Sequence, residues 1–147
     1  MPSDLHIRPP EPGDRADGGR LWTGSLAFHE TSRLDAHLDA CFARLLTRDR
    51  SDMEGLIAAR DGAAVGLAHW CLHPHGRQAE LVCYLKDLHT DPAVRRTGAG
   101  AALVAAVAEA SAQGGRGVYW TTAQDDAAAR RLHDRVGRLT PFVTYVL

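Results

Sequence analysis

Long apolar runs are missing from this 147-residue chain: none approaches the roughly 18 residues that a membrane-spanning helix requires, so no membrane span is expected. The N-terminal Met-Pro-Ser-Asp-Leu-His-Ile-Arg likewise holds no apolar core of signal-peptide length, and the expected compartment is the cytoplasm. Cysteine is scarce. Cys41, Cys71 and Cys83 are odd in number, form no Cys-x-x-Cys pair and lie in apolar segments, which argues for buried free thiols and against a disulfide framework or a catalytic cysteine. A basic excess is also absent, with 17 Lys and Arg against 18 Asp and Glu and the arginines scattered, so nucleic acid is not an expected partner. What remains, 45% hydrophobic and 24% charged residues, suits one globular domain over residues 1–147, with no room for a second.

In chain order, Leu5 to Arg8 alternates apolar and polar before Pro9-Pro10, as an edge strand would. Leu21, Trp22, Leu26, Phe28 and His29 recur at helical spacing over about Arg15 to Glu30, although Gly18, Gly19 and Gly24 weaken that pattern. Ser32-x-x-Asp35 reads as a capping box, and Leu34, Leu38, Cys41, Phe42 and Leu45 form one face of a second helix. Leu56 to Arg60 and Ala64 to Leu72 flank Asp61-Gly62, the signature of a tight hairpin. Cys71, His73 and His75 alternate on one side of that second strand, but Pro74, Gly76 and the lack of a partner ligand pair speak against a metal. A strand over Leu81 to Leu88, a helix over about Thr97 to Ala112, a strand over Val118 to Thr121, a helix capped by Asp125 or Asp126 and stopped by Gly137, and a last strand over Phe142 to Leu147 complete the expected order.

The stretch with chemistry in it runs from Leu85 to Val104. An apolar strand ends in Leu88 and His89, turns at Asp91-Pro92, and passes two arginines and Gly98-x-Gly100 into an Ala-rich helix. Glycine admits positive φ and close backbone approach, and free N–H groups at a helix start converge on an anion. The dinucleotide fingerprint fails because Leu103 stands where a third small residue belongs, and the P-loop fails for want of Gly-Lys-Ser/Thr. Arg95-x-x-Gly98-x-Gly100 after a strand and Asp-Pro resembles instead the acetyl-CoA pyrophosphate loop of the GCN5-related N-acetyltransferases, the GNAT superfamily.

A second block, Val118 to Gly137, is similar to the other conserved segment of that family, with Asp126, Ala129, Leu132, His133 and Gly137 at its marked places. Together the two blocks extend the resemblance over nearly the whole chain. It implies an α/β fold with a mixed, mostly antiparallel sheet flanked by helices, and an acetyl-CoA cleft where two parallel strands splay apart. It also implies acetyl transfer to a primary amine of a small molecule or basic peptide by direct attack, and a possible homodimer. Val118 to Thr122 and Thr140 to Tyr145 look like the branch acting on polyamines, small amines and basic protein tails.

Carried onto this chain, the resemblance implies that backbone at Leu88, His89 and Thr90 holds the thioester carbonyl and pantetheine, and that Arg95, Arg96, Thr97, Gly98, Ala99, Gly100 and Ala101 hold the pyrophosphate, with Asp126 and Ala129 near the CoA arm. Asp126 stands where the family usually has Asn, and His133 where it has the tyrosine facing the sulfur. Deprotonating an alkylammonium, with its pKa near ~10.4, calls for a carboxylate; Asp87, Glu80 and Glu30 are candidates, and Asp87 is favoured by its place at the strand end. His133 is expected to protonate the departing thiolate, or else to pack beside Leu132. The two substitutions also leave open a second kind of protein, an acyl-CoA-binding sensory module with little catalysis. No metal is expected.

Overall fold

The computed structural model describes residues 4–28, 35–49 and 52–147. Along them run β1 (Leu5–Arg8), α1 (Arg15–Phe28), α2 (Asp35–Leu46), β2 (Met53–Arg60), β3 (Ala63–Pro74), β4 (Leu81–Thr90), α3 (Ala99–Ser111), β5 (Gly115–Tyr119) and α4 (Ala127–Val136). The five strands form one sheet in sequence order, antiparallel from β1 to β4 and parallel between β4 and β5. This is the mixed, mostly antiparallel α/β architecture that the sequence leads one to expect. No helix among the described residues is long and apolar enough to cross a membrane.

The β2–β3 hairpin closes on Asp61 and Gly62, both at positive φ (52° and 80°), the backbone that a two-residue turn between twisted strands requires. Burial then sorts the sheet into two faces. Ala58, Val65, Ala68, Trp70, Cys83 and Leu85 pack with Leu103, Val104 and Val107 of α3, whereas Ile57, Ala64 and Leu67 pack with Leu21 of α1. The glycines of α1 admit neighbours: a Cβ on Gly18 would touch Phe42 and one on Gly24 would touch His89.

Two irregularities set up the site. β3 pairs His69 with Asp87 but Trp70 with Leu85, so Lys86 is an extra residue that bulges β4 and re-aims the side chains beyond it. The parallel pairing of β4 with β5 ends at Tyr84↔Tyr119, while β4 continues to Thr90 against β3. From Leu85 onward, no described strand pairs with β4 on its β5 side.

Several boundaries differ from expectation. β4 reaches Thr90 because Gly66 pairs with it. β5 starts at Gly115, three residues early, since that glycine seats against the Leu81 carbonyl 3.1 Å from its Cβ position and leaves no room for a side chain. α3 starts at Ala99 with Gly98 as its cap. The expected last strand, Phe142 to Leu147, is not a strand: it pairs with none of the described strands and its side chains are exposed. His29, Glu30 and the Ser32 cap lie outside the described residues.

Candidate functional site

The turn after β4 is held from three sides. Asp91 accepts a hydrogen bond from the Ala93 N–H at 3.0 Å and pairs with Arg20 of α1 at 3.1 Å; the backbone bond first, and then Arg20, hold its carboxyl below the usual carboxylate range. Thr97 Oγ1 donates to the Val94 carbonyl at 2.5 Å. Arg96 and Gly98 both take positive φ (67° and 87°), and Gly98, at the α3 N-cap, brings no side-chain acceptor to the first-turn N–H groups of Ala99, Gly100 and Ala101. Nothing lies within 4 Å of the position a Cβ on Gly98 would occupy. Arg95 and Arg96 are exposed, and among the described residues neither forms an ion pair with a carboxylate. A helix N-terminus without a side-chain cap, with two exposed arginines shortly before it in the chain, is an arrangement that can take a multiply charged anion.

Gly100 has a different setting. Its Cβ position is 2.7 Å from Leu132 Cδ2, so its missing side chain lets α4 close on α3 while its N–H stays at the helix start. Beyond the bulge, side chains alternate: His89 reaches toward α1, with Nε2 3.4 Å from the Gly24 Cβ position, and the Thr90 methyl lies on the α3 side, 3.4 Å from the Gly66 Cβ position. Leu88 packs against the α3-side core.

Asp87 meets His69, whose Nδ1 donates to Asp87 Oδ2 at 3.1 Å. The histidine is 5% exposed and Trp22 stands edge-on to it with ring centroids 6.0 Å apart, so the carboxylate is fixed on the α1-facing side while remaining partly open. On α4, Asp126 caps the helix by accepting from the Ala129 N–H at 3.1 Å. His133 is half-buried and its Nδ1 accepts from Trp120 Nε1–H at 3.0 Å, which leaves Nε2 carrying the proton. Burial pushes the imidazole below its usual range, and the nearby Asp126 and Asp134 oppose that only in part. Protonation would also set an Nδ1–H against the indole N–H, so both effects keep the ring neutral.

A family model described as the acetyltransferase (GNAT) family matches residues 21–137. The chain belongs to this family. No curated protein matches it. Among solved structures, this GNAT chain is similar to an aminoglycoside N-acetyltransferase in complex with CoA (22% identity, 100% of this chain and 96% of that one, TM-score 0.80). It is also similar to a ribosomal-protein-alanine N-acetyltransferase from Brucella melitensis biovar Abortus 2308 (19% identity, 98% of each chain, TM-score 0.76). A transcriptional regulator from Bacillus halodurans C-125 (19% identity, 98% of this chain and 99% of that one, TM-score 0.81) shares the fold as well.

Within this GNAT fold, the structure gathers Leu88 to Thr90 and Arg95 to Ala101 at one end of β4 and α3, and sets Asp87 one residue upstream. Sequence reading missed His69, because its link to Asp87 needs the bulge at Lys86 to be known. It also missed the Trp120 bond to His133, whose signal, an indole 13 positions away, has no local pattern. A third unforeseen group is Tyr84, stacked on Tyr119 at 5.0 Å, with Tyr119 O–H donating to His73 Nε2 at 2.6 Å while His73 Nδ1 donates to the Pro74 carbonyl. His73, singled out for its spacing with Cys71 and His75, is thus occupied by a tyrosine and a carbonyl. Among the described residues no three metal-ligating side chains converge.

Proposed function

We propose that this protein is an acetyl-CoA-dependent N-acetyltransferase acting on a primary amine of a small molecule or basic peptide, by direct attack on the thioester, in the cytoplasm and as a homodimer. The observation that carries this reading is the uncapped α3 N-terminus after a strand that, beyond Tyr84, no described strand pairs on its β5 side. Pyrophosphate binds the Ala99 to Ala101 N–H groups over the open face of Gly98, with Arg95, Arg96 and Thr97 around it. The pantetheine arm runs in the gap between β4 and β5, where backbone of Leu88, His89 and Thr90 meets its amides and the thioester oxygen. Asp126 and Ala129 border the arm at the start of α4.

Asp87, aimed by His69, takes the proton of the substrate ammonium directly or through water. The amine then attacks the carbonyl carbon, the carbon–sulfur bond breaks, and CoA leaves as thiolate. His133 serves at the sulfur in the place of the family's tyrosine: its neutral Nε2–H donates to the thiolate and steadies that charge until a proton arrives. No metal is required.

The test is a panel of amines incubated with acetyl-CoA, read by mass spectrometry of products and by release of CoA thiol, for the native chain and for Asp87→Asn. An acetylated amine in step with free CoA, lost in the variant, is the expected result. Tight retention of CoA with no acetylated amine from any class would assign the protein to the acyl-CoA-binding modules.

A further inference from the structure

The face of the sheet that packs on α1 continues past the helix as a row of aromatic side chains. On β3, Leu67, His69, Cys71 and His73 follow one another on this face, since the intervening Ala68, Trp70 and Leu72 pack on the α3 side. Opposite them on β4 stand Asp87 at His69 and Tyr84 at Cys71, and β5 adds Tyr119 at Tyr84. The two tyrosine rings stack, with centroids 5.0 Å and planes 29° apart. Tyr119 is 41% exposed and Tyr84 half-buried, so the pair presents ring surface to solvent beside Asp87. Trp22 of α1, edge-on to His69, stands at the other end of the row.

The far end of the row is held in place. Tyr119 O–H donates to His73 Nε2 at 2.6 Å, and His73 Nδ1 donates to the Pro74 carbonyl at 2.8 Å. Among the described strand residues of this face, Asp87 is the one carboxylate. Glu54 of β2 pairs with Trp70 on the α3 side and accepts from its indole at 3.2 Å, while Asp52 and Asp39 are matched with Arg44 and Arg15. A polycation seated here would bring ammonium groups out of water with no carboxylate to receive them. A single ammonium at Asp87 with a flat apolar body on the tyrosines leaves neither end unmatched. His69 and Cys71, two residues apart on β3, are separated by about 7 Å. Their partners Asp87 and Tyr84 therefore stand at a spacing that a short carbon chain between an amino nitrogen and a ring spans.

We propose that the acceptor of this site is a primary monoamine joined to an aromatic ring by a short carbon chain, its nitrogen at Asp87 and its ring against the Tyr84–Tyr119 pair. Tyr84 and Tyr119 set the specificity, and His73 positions Tyr119. This assignment rests on the acetyl-transfer reading and narrows its acceptor to an arylalkylamine. The reaction keeps its balance: the ammonium gives its proton to Asp87, the nitrogen forms a bond to the acetyl carbon, and CoA leaves with the electron pair of the carbon–sulfur bond. The amide product carries no charge for Asp87 to hold, so only the ring contact remains to be broken on release.

The experiment follows CoA release from acetyl-CoA with phenethylamine, n-butylamine, spermidine and a lysine-containing peptide. It uses the native chain, Tyr84→Leu, Tyr84→Phe and, as a second variant at the more exposed ring, Tyr119→Leu, with calorimetric CoA binding to show that each is folded. In the native chain phenethylamine is expected to exceed spermidine and the peptide in kcat/KM by about tenfold or more. Either leucine variant is expected to lower the kcat/KM ratio of phenethylamine to n-butylamine by roughly three- to tenfold, mainly through KM, and Tyr84→Phe to keep it. Spermidine or the peptide turned over ahead of phenethylamine, or a ratio unmoved in both leucine variants, would overturn this acceptor while leaving acetyl transfer standing. CoA bound with no amine acetylated would overturn the acetyl-transfer reading itself and the acceptor with it.

Discussion

Leu132 on α4 occupies the space that a side chain on Gly100 would need, its Cδ2 standing 2.7 Å from the Cβ position. The two glycines at the start of α3 therefore meet different surroundings, with open space at Gly98 and Leu132 at Gly100. Gly100→Ala sets a methyl against the movable end of the Leu132 side chain, so the contact offsets the gain of a helical alanine and stability is expected to change by no more than about 1 kcal/mol, with Leu132→Ala in the same chain relieving the contact. Gly98→Ala strains a positive φ at a cost of roughly 1 kcal/mol and sets a methyl in the open cradle. It is expected to weaken CoA binding without relief from Leu132→Ala. Denaturant melts beside calorimetric CoA titrations for the four variants check both statements.

His133 offers a pH test. Its folded pKa lies below the usual value near ~6.5 because of burial, so the unfolded chain takes up a proton before the folded one does. The stability this residue brings is present above the unfolded pKa and falls as pH drops through the window between the two values. Turnover should follow the neutral ring, with an acid limb governed by His133 and no alkaline break from it. Trp120→Phe removes the indole N–H that opposes an Nδ1 proton, and should move the acid limb toward higher pH. NMR titration of the imidazole and the pH–rate profile should move together; a limb unchanged in His133→Phe would assign the ring to packing.

For Asp87 and His69 the prediction separates proton transfer from alignment. Asp87→Asn is expected to lower kcat by about 100-fold or more while CoA affinity persists. His69→Gln keeps a donor but not the ring against Trp22, and should give a smaller loss with the same pH dependence. Equal activity in native and Asp87→Asn proteins would move the base elsewhere.

The first strand is pinned by Arg8, which donates to Asp14 at 2.6 and 3.0 Å while the Glu11 N–H adds a third bond at 2.7 Å. The arginine, foremost, holds the Asp14 carboxyl below its usual range. A depressed carboxylate pKa gives stability that is full above the unfolded value near ~3.9 and is lost as pH falls through the folded one. Asp14→Asn should cost about 1–2 kcal/mol at neutral pH and remove that acid-sensitive component, as measured by thermal melts from neutral pH to pH 3.

Much of this fold was legible because local signals agreed with it. Asp61-Gly62 needs only its own backbone to make a hairpin, and Gly98 only its own φ to open a helix start. The Asp87–His69 pair was hidden, since one extra residue at Lys86 decides which β3 side chain faces Asp87, and register belongs to two strands at once. Gly100 carries a second constraint that its motif does not show: a motif reports that a side chain is absent, and only packing names Leu132 as the neighbour beside it. Phe142 to Leu147 has strand composition, yet a strand also needs an edge to pair with, and the segment pairs with none of the described strands.

The central claim is that acetyl passes from CoA straight to an amine in the β4–β5 cleft. A single-turnover experiment with protein in excess over acetyl-labelled acetyl-CoA, quenched with and without amine, tests it most directly. The account predicts that label remains on CoA until an amine is added, then appears on the amine, and never on the protein. Label on a protein side chain, or label that stays on CoA with every amine tried, would contradict it.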